Sequence, residues 1–208
     1  MLYNYKEALK IHGTDYRLKQ AIASRTIHRI ESGVYSDGKK NFTTYELMLK
    51  KYPTAFLVKD SALFHMGFIK EEPNVIHLGT ARNALRISDK RVKQHFYSYF
   101  DDPKNRQNYI QSYISENGNE IRMFNCSRLF LDLIRDRATY TRDELFRLLR
   151  LFRDCQYFAD SDIDECALIM RVIDDSQLCT IVGEVCDCAR ERKWEQEFRE
   201  KWEELDLD

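Results

Sequence analysis

Residues 26–37, TIHRIESGVYSD, constrain the fold more than any other stretch of the chain. A short run ends at Ile30, Ser32-Gly33 is a turn signal, and Val34-Tyr35 returns, which predicts a tight hairpin. Gly33 can take the positive φ of such a turn without a Cβ clash. The spacing of three between Ile27 and Ile30 assigns Ile27 to the entry turn and starts the strand near His28. Directly upstream, residues 14–24 carry a helical pattern in which Leu18, Ala21 and Ile22 form one apolar stripe, with Thr14 or Asp15 as cap. Asn4 can cap an earlier helix over residues 5–11, with Tyr5, Ala8, Leu9 and His12 on its inner side, and His12-Gly13 stops it. Two helices joined by two to four residues and followed by a hairpin have the order of a winged helix-turn-helix. There the second helix enters a DNA major groove and the hairpin touches the backbone beside it. An αβ-hairpin unit with no ligand has the same order.

Charge tells which half of the chain an anionic partner would meet. The formal net charge of the 208 residues is -1. Residues 1–52 hold 10 Lys/Arg against 5 Asp/Glu (+5), residues 53–114 hold 9 against 6 (+3), and residues 115–208 hold 14 against 23 (−9). A basic front and an acidic back direct such a partner to the N-terminal half. No apolar run is long enough to span a bilayer, and MLYNYKEALK lacks the apolar core of a secretory signal, so a cytoplasmic protein is expected. All six cysteines fall in the C-terminal half and are expected as free thiols in that compartment.

Beyond the hairpin, Thr43 or Thr44 opens a helix over residues 45–51, with Leu47, Met48 and Tyr52 available for packing and Pro53 at its end. Residues 54–58 read as a short buried strand or helix start, and Asp60 or Ser61 caps a helix ended by Gly67. Strands are predicted at 75–79, 86–88, 91–100, 109–115 and 120–124, the last two joined by the turn signal Glu116-Asn117-Gly118-Asn119. From residue 125 the chain reads as helical. Leu129, Phe130, Leu133 and Ile134 share a face, Thr141 and Glu144 form a capping box opening 142–157, and helices follow at 160–173, 177–190 and 191–205. The last of these carries Trp194, Phe198 and Trp202 as one aromatic stripe. The fold class is therefore α+β: an N-terminal helix–hairpin unit, a mixed α/β middle and a helical C-terminal region.

Catalytic chemistry finds little footing. His12, His28, His65, His77 and His95 lack metal-ligand spacing. Cys179, Cys186 and Cys188 are a partial thiol cluster, but 188 leaves the helix face shared by 179 and 186, and a closed zinc site wants four ligands. There is no Gly-rich phosphate loop, nucleophile elbow or HExxH. Glu120-Ile121-Arg122 is a poor substitute for a nuclease carboxylate–Lys strand, and the acids of 160–165 and 174–175 read as caps and joints. No enzyme activity, cofactor or metal is expected.

Several short motifs follow one another along the chain. A unit ending in Gly33-Val34-Tyr35 is followed by Pro53…Ser61-Ala62-Leu63…His65…Gly67, then Ile76-His77-Leu78, then Ser127-Arg128-Leu129…Leu131-Asp132-Leu133-Ile134. In this the chain, over roughly residues 3–175, resembles the AbiEi-type antitoxins of type IV toxin–antitoxin systems. The resemblance implies a winged helix-turn-helix DNA-binding domain over 1–52 and an antitoxin domain over 53–208. It implies a transcriptional autorepressor that binds double-stranded DNA at its own operator. It also implies a functional partner, an AbiEii-type nucleotidyltransferase toxin opposed without a stable complex. The chain departs from the family where Arg-Thr is common and Arg128-Leu129 stands.

On that reading Thr14, Tyr16, Arg17 and Gln20, at the start of the second helix, would meet base edges. Lys19, Arg25, Lys39 and Lys40 would meet phosphates, and Arg29 would do so from the hairpin. Glu31 and Asp37 beside Arg29 would make the hairpin itself a weak contact, and a homodimer, or cooperative binding to repeats, would help compensate. A different class of function is a protein-interaction module whose acidic helical half binds a partner, or a second copy, through Trp194, Phe198 and Trp202.

Overall fold

The computed structural model describes residues 1–38, 41–98, 108–155, 158 and 160–205, with backbone alone at 160, 161 and 196–205. The chain is mixed α+β and falls into two compact units. One comprises residues 1–61 with 73–123, the other residues 62–72 with 124–208.

The first unit starts with a strand too short to be legible in sequence, β1 (Leu2–Asn4). Asn4 then caps α1 (Tyr5–His12) with a full capping box: its side chain accepts from the Glu7 N–H, and the Glu7 carboxylate accepts from the Asn4 N–H. Gly13, at φ +80°, closes α1 by donating to the Leu9 carbonyl, and Thr14 caps α2 (Asp15–Ala23). The hairpin follows as β2 (His28–Glu31) and β3 (Val34–Ser36), with Gly33 at φ +80° in the turn. β3 is central, pairing antiparallel with β1 on one side and β2 on the other. Ala8, Leu18, Ile27 and Tyr35 are the buried centre of this small core, with Tyr3, Leu9, Ala21 and Ile22 packed around them. The predicted inner residue Tyr5 is instead exposed, its hydroxyl on Asp15.

Thr43 caps α3 (Thr44–Lys51) with a second capping box through Glu46, and Tyr45, Met48 and Leu49 are buried. A five-stranded sheet follows in the order β6-β5-β4-β8-β7, built from β4 (Phe56–Leu57), β5 (Ile76–Ala81), β6 (Val92–Tyr97), β7 (Ile110–Ile114) and β8 (Glu120–Phe124). β4 runs antiparallel to β5 and parallel to β8, and β5 runs parallel to β6. Two expectations fail here. Residues 86–88 are not a strand: the Ile87 N–H donates to the Gln94 side chain instead of to a neighbouring strand. Nor do Asp60 and Ser61 cap α4 (Lys59–His65), which starts earlier; the Ser61 hydroxyl accepts the backbone N–H of His77. The predicted strand 91–100 runs to Tyr97, and its residues 99 and 100 lie outside the described residues.

The second unit is helical: α5 (Cys126–Arg135), α6 (Arg142–Leu151), α7 (Asp160–Met170) and α8 (Ser176–Leu205). Its core is aromatic, with Phe152 against Phe68 and Phe130, and Phe130 against Phe158. That packing explains why α6 ends at Leu151: Phe152 turns inward through a 3-10 turn, Phe152–Asp154. Residues 177–190 and 191–205, expected as separate helices, form one 30-residue helix, since neither Pro nor Gly interrupts the sequence at their junction.

Candidate nucleic-acid interface

The predicted DNA-contacting residues of α2 lie on its outward side, opposite the buried Leu18. The Thr14 hydroxyl accepts the Arg17 N–H at 3.2 Å and so is used as a cap. Tyr16 is 69% exposed, and its hydroxyl accepts from Gln20 Nε2 at 2.9 Å, so these two side chains form one polar unit a turn apart. Lys19 pairs with Asp15 at 2.6 Å. That bond raises the Lys19 ammonium and lowers the Asp15 carboxyl, and both side chains are solvent-exposed. Arg17, Arg25 and Arg29 are exposed and make no ion pair among the described residues. Lys39 and Lys40 lie outside the described residues.

Arg25 is held in an unusual way. Thr26 N–H donates to the Ala21 carbonyl and Arg25 N–H to the Ile22 carbonyl, which is the Schellman ending of a helix. That ending needs a left-handed residue, and Arg25 supplies it at φ +60° where glycine is the usual choice.

The two acids expected to weaken the hairpin both have partners within the protein. Arg29 faces Tyr35 in the register and projects into solvent. Glu31 is neutralised: its carboxylate accepts from Arg91 at 2.8 Å and lies 3.9 Å from the Lys51 ammonium. Asp37 accepts from the Met1 ammonium at 2.7 Å and from the Tyr3 hydroxyl at 3.1 Å, and the ammonium holds it below the usual carboxylate range. Both acids are thus satisfied within the protein. Neither pairing was readable in the sequence, because the partners of Glu31 lie 20 and 60 residues away.

The other singled-out groups do not converge. Cys179 Sγ points at the carbonyls of Met170 and Ile173, Cys186 is hydrogen-bonded to Cys166, and Cys188 lies apart. The six cysteines are free thiols. Hydrogen bonding to a neighbouring thiol, with burial, pushes Cys155 and Cys166 up, so both are protonated. The rings of His77 and His95 stack at 5.0 Å, a pairing that the sequence did not signal, and burial pushes His77 down. Among the described residues no group of three or more His, Cys, Asp or Glu is placed to hold a metal ion. In the second unit Ser127, Arg128, Leu129, Leu131, Asp132, Leu133 and Ile134, which carry the family resemblance, are all buried on α5, and Arg128 pairs with Asp132 at 3.3 Å. Trp194 is 64% exposed on α8, whereas the side chains of Phe198 and Trp202 lie outside the described residues. No described helix is long and apolar enough to cross a membrane. No protein-family model matches the chain, and no curated protein matches it.

Proposed function

We propose that this protein is a DNA-binding transcriptional autorepressor and the antitoxin of a type IV toxin–antitoxin system, acting in the cytoplasm and without enzymatic activity of its own. The observation that carries the reading is the connectivity of residues 2–36. A strand, two helices joined by Gly13-Thr14, and a hairpin whose second strand lies between the first strand and its own partner have the strand–helix–helix–wing order of a winged helix-turn-helix. In this reading α2 is the recognition helix. Arg17 and the Tyr16–Gln20 pair would face base edges, Lys19 and Arg25 would bind phosphates, and the hairpin with Arg29 would follow the adjacent backbone. The operator lies upstream of the protein's own operon, and the opposed toxin is an AbiEii-type nucleotidyltransferase that forms no stable complex with it. A gel shift against that upstream DNA tests the assignment: retardation at low salt supports it, and folded protein that leaves the DNA unshifted sinks it.

A second reading rests on Trp194, an exposed indole on the long, charged helix α8. Such an anchor suits an interaction module that binds a protein partner or a second copy through the acidic half. Trp194→Ala, followed by sedimentation, separates the two: loss of association with DNA binding intact assigns the indole to an interface only.

A further inference from the structure

The connection between β5 and β6 is a fixed, cation-bearing loop to which no role has been assigned above. The two strands are parallel, in register from Ile76↔Val92 to Ala81↔Tyr97. The chain leaving Ala81 must therefore travel back along the sheet to Val92, and it does so in residues 82–91 without a helix. Such crossovers are usually longer and helical. This one is pinned along its length instead. The Ala84 N–H donates to the Ala81 carbonyl, Gln94 Nε2 donates to the Leu85 carbonyl at 3.1 Å, and the Ile87 N–H donates to Gln94 Oε1 at 2.8 Å. At its far end Asp89 accepts from Lys51 and Arg91, and Arg91 donates to Glu31 beside the hairpin turn.

The charges on this element divide into two sets. Lys51, Arg91, Glu31 and Asp89 form a closed, balanced network. Arg82, Arg86 and Lys90 on the loop, and Lys93 on β6, are exposed and make no ion pair among the described residues. The loop therefore presents long cationic side chains from an anchored backbone, and its own acid is already consumed. The Arg91–Glu31 bond places the end of this cationic track at the hairpin.

We propose that the β5–β6 loop is a second phosphate-binding element, which extends the contact of α2 and the hairpin along the backbone of double-stranded DNA. The inference rests on the DNA-binding reading and adds a contact outside the helix–hairpin unit. The loop supplies charge and no base recognition, so it acts on affinity and salt dependence and not on sequence preference.

The test is the salt dependence of binding to a duplex from upstream of the operon, using the full chain and a triple variant, R82Q/R86Q/K90Q. A control, K70Q/R150Q/R171Q, removes the same charge from exposed positions of the second unit. Matched thermal melts check that both variants are folded. The loop variant is expected to lose about 2–3 units from the slope of log K against log salt, with unchanged discrimination against a scrambled duplex, while the control keeps the wild-type slope. A wild-type slope in the loop variant, or an equal drop in the control, overturns this inference and leaves the DNA-binding reading standing. Wild-type protein that binds neither duplex overturns both.

Discussion

Arg91 donates to Glu31 at 2.8 Å, joining the end of the β5–β6 crossover to the hairpin across sixty residues of sequence. The bond converts the one acid of the hairpin strands from a repulsive surface charge into an internal tie. It also removes Arg91 from the pool of free cations, since Asp89 holds the same guanidinium. The pair is partly exposed, so its own contribution to stability is small. A double-mutant cycle on Glu31→Ala and Arg91→Ala is expected to give a coupling of about 0.5–1 kcal/mol by urea unfolding, falling as salt rises. Additive single-mutant effects would show that the tie carries no energy.

Arg25 occupies a backbone position that suits glycine, and it remains exposed there. Arg25→Gly relieves the left-handed strain but frees the unfolded chain. The net expectation is a gain of about 0.5–1 kcal/mol in stability. If Arg25 binds phosphate as proposed, the same change lowers the salt slope of DNA binding by about one unit. A more stable but weaker-binding variant marks a residue retained for its charge. A variant that loses stability contradicts the strain argument.

Glu46 is 2% exposed, yet it is ionised. Burial works against its charge, but hydrogen bonds from Asn119, Ser115, the Thr43 N–H and Asn117 outweigh it and hold the carboxyl below the usual carboxylate range. A carboxyl with a depressed folded pKa adds stability that is fully present above its unfolded pKa, near 4.5, and is lost as pH falls through the lower folded value. Glu46→Gln is expected to cost about 2–3 kcal/mol at pH 7. Urea midpoints measured from pH 7 to pH 3 should show the wild type approaching the variant only in the acid limb. A constant gap across that range would contradict the sign.

Gly79 is a packing glycine. It stands opposite Phe56 in the sheet, and a Cβ there would lie 2.3 Å from Phe56 Cε2 and 2.7 Å from Val58 Cγ1. Both neighbours are buried, so neither ring nor methyl can move away freely. Gly79→Ala is expected to lower stability by about 1–3 kcal/mol, read as a drop in the thermal midpoint.

Local signals made much of the fold legible. Asn4, Thr14, Thr43 and Thr141 each cap the helix that follows, and Gly33 and Asn117-Gly118 turn the two hairpins. What escaped depends on partners distant in sequence. β1 is three residues long and exists because β3 pairs with it. The stretch 86–88 has strand-like residues, but Gln94 takes its backbone N–H. The continuity of α8 past residue 190 was hidden by a charged, unbroken junction that carries no stop signal. At the candidate interface the exposed cations of α2 were readable from their phase against Leu18. The neutralisation of Glu31 and Asp37 was not, because charge pairing across an α+β unit follows from topology, not from spacing.

The central claim, that α2 reads DNA, is tested most directly by fluorescence anisotropy. Wild type, Arg17→Ala and Gln20→Ala are titrated against a labelled duplex from upstream of the operon and against a scrambled duplex at the same salt. The account predicts tighter wild-type binding to the upstream duplex, with each substitution cutting that preference by roughly 5- to 150-fold, the equivalent of about 1–3 kcal/mol. Equal wild-type affinity for the two duplexes, or full preference retained in both variants, would contradict it.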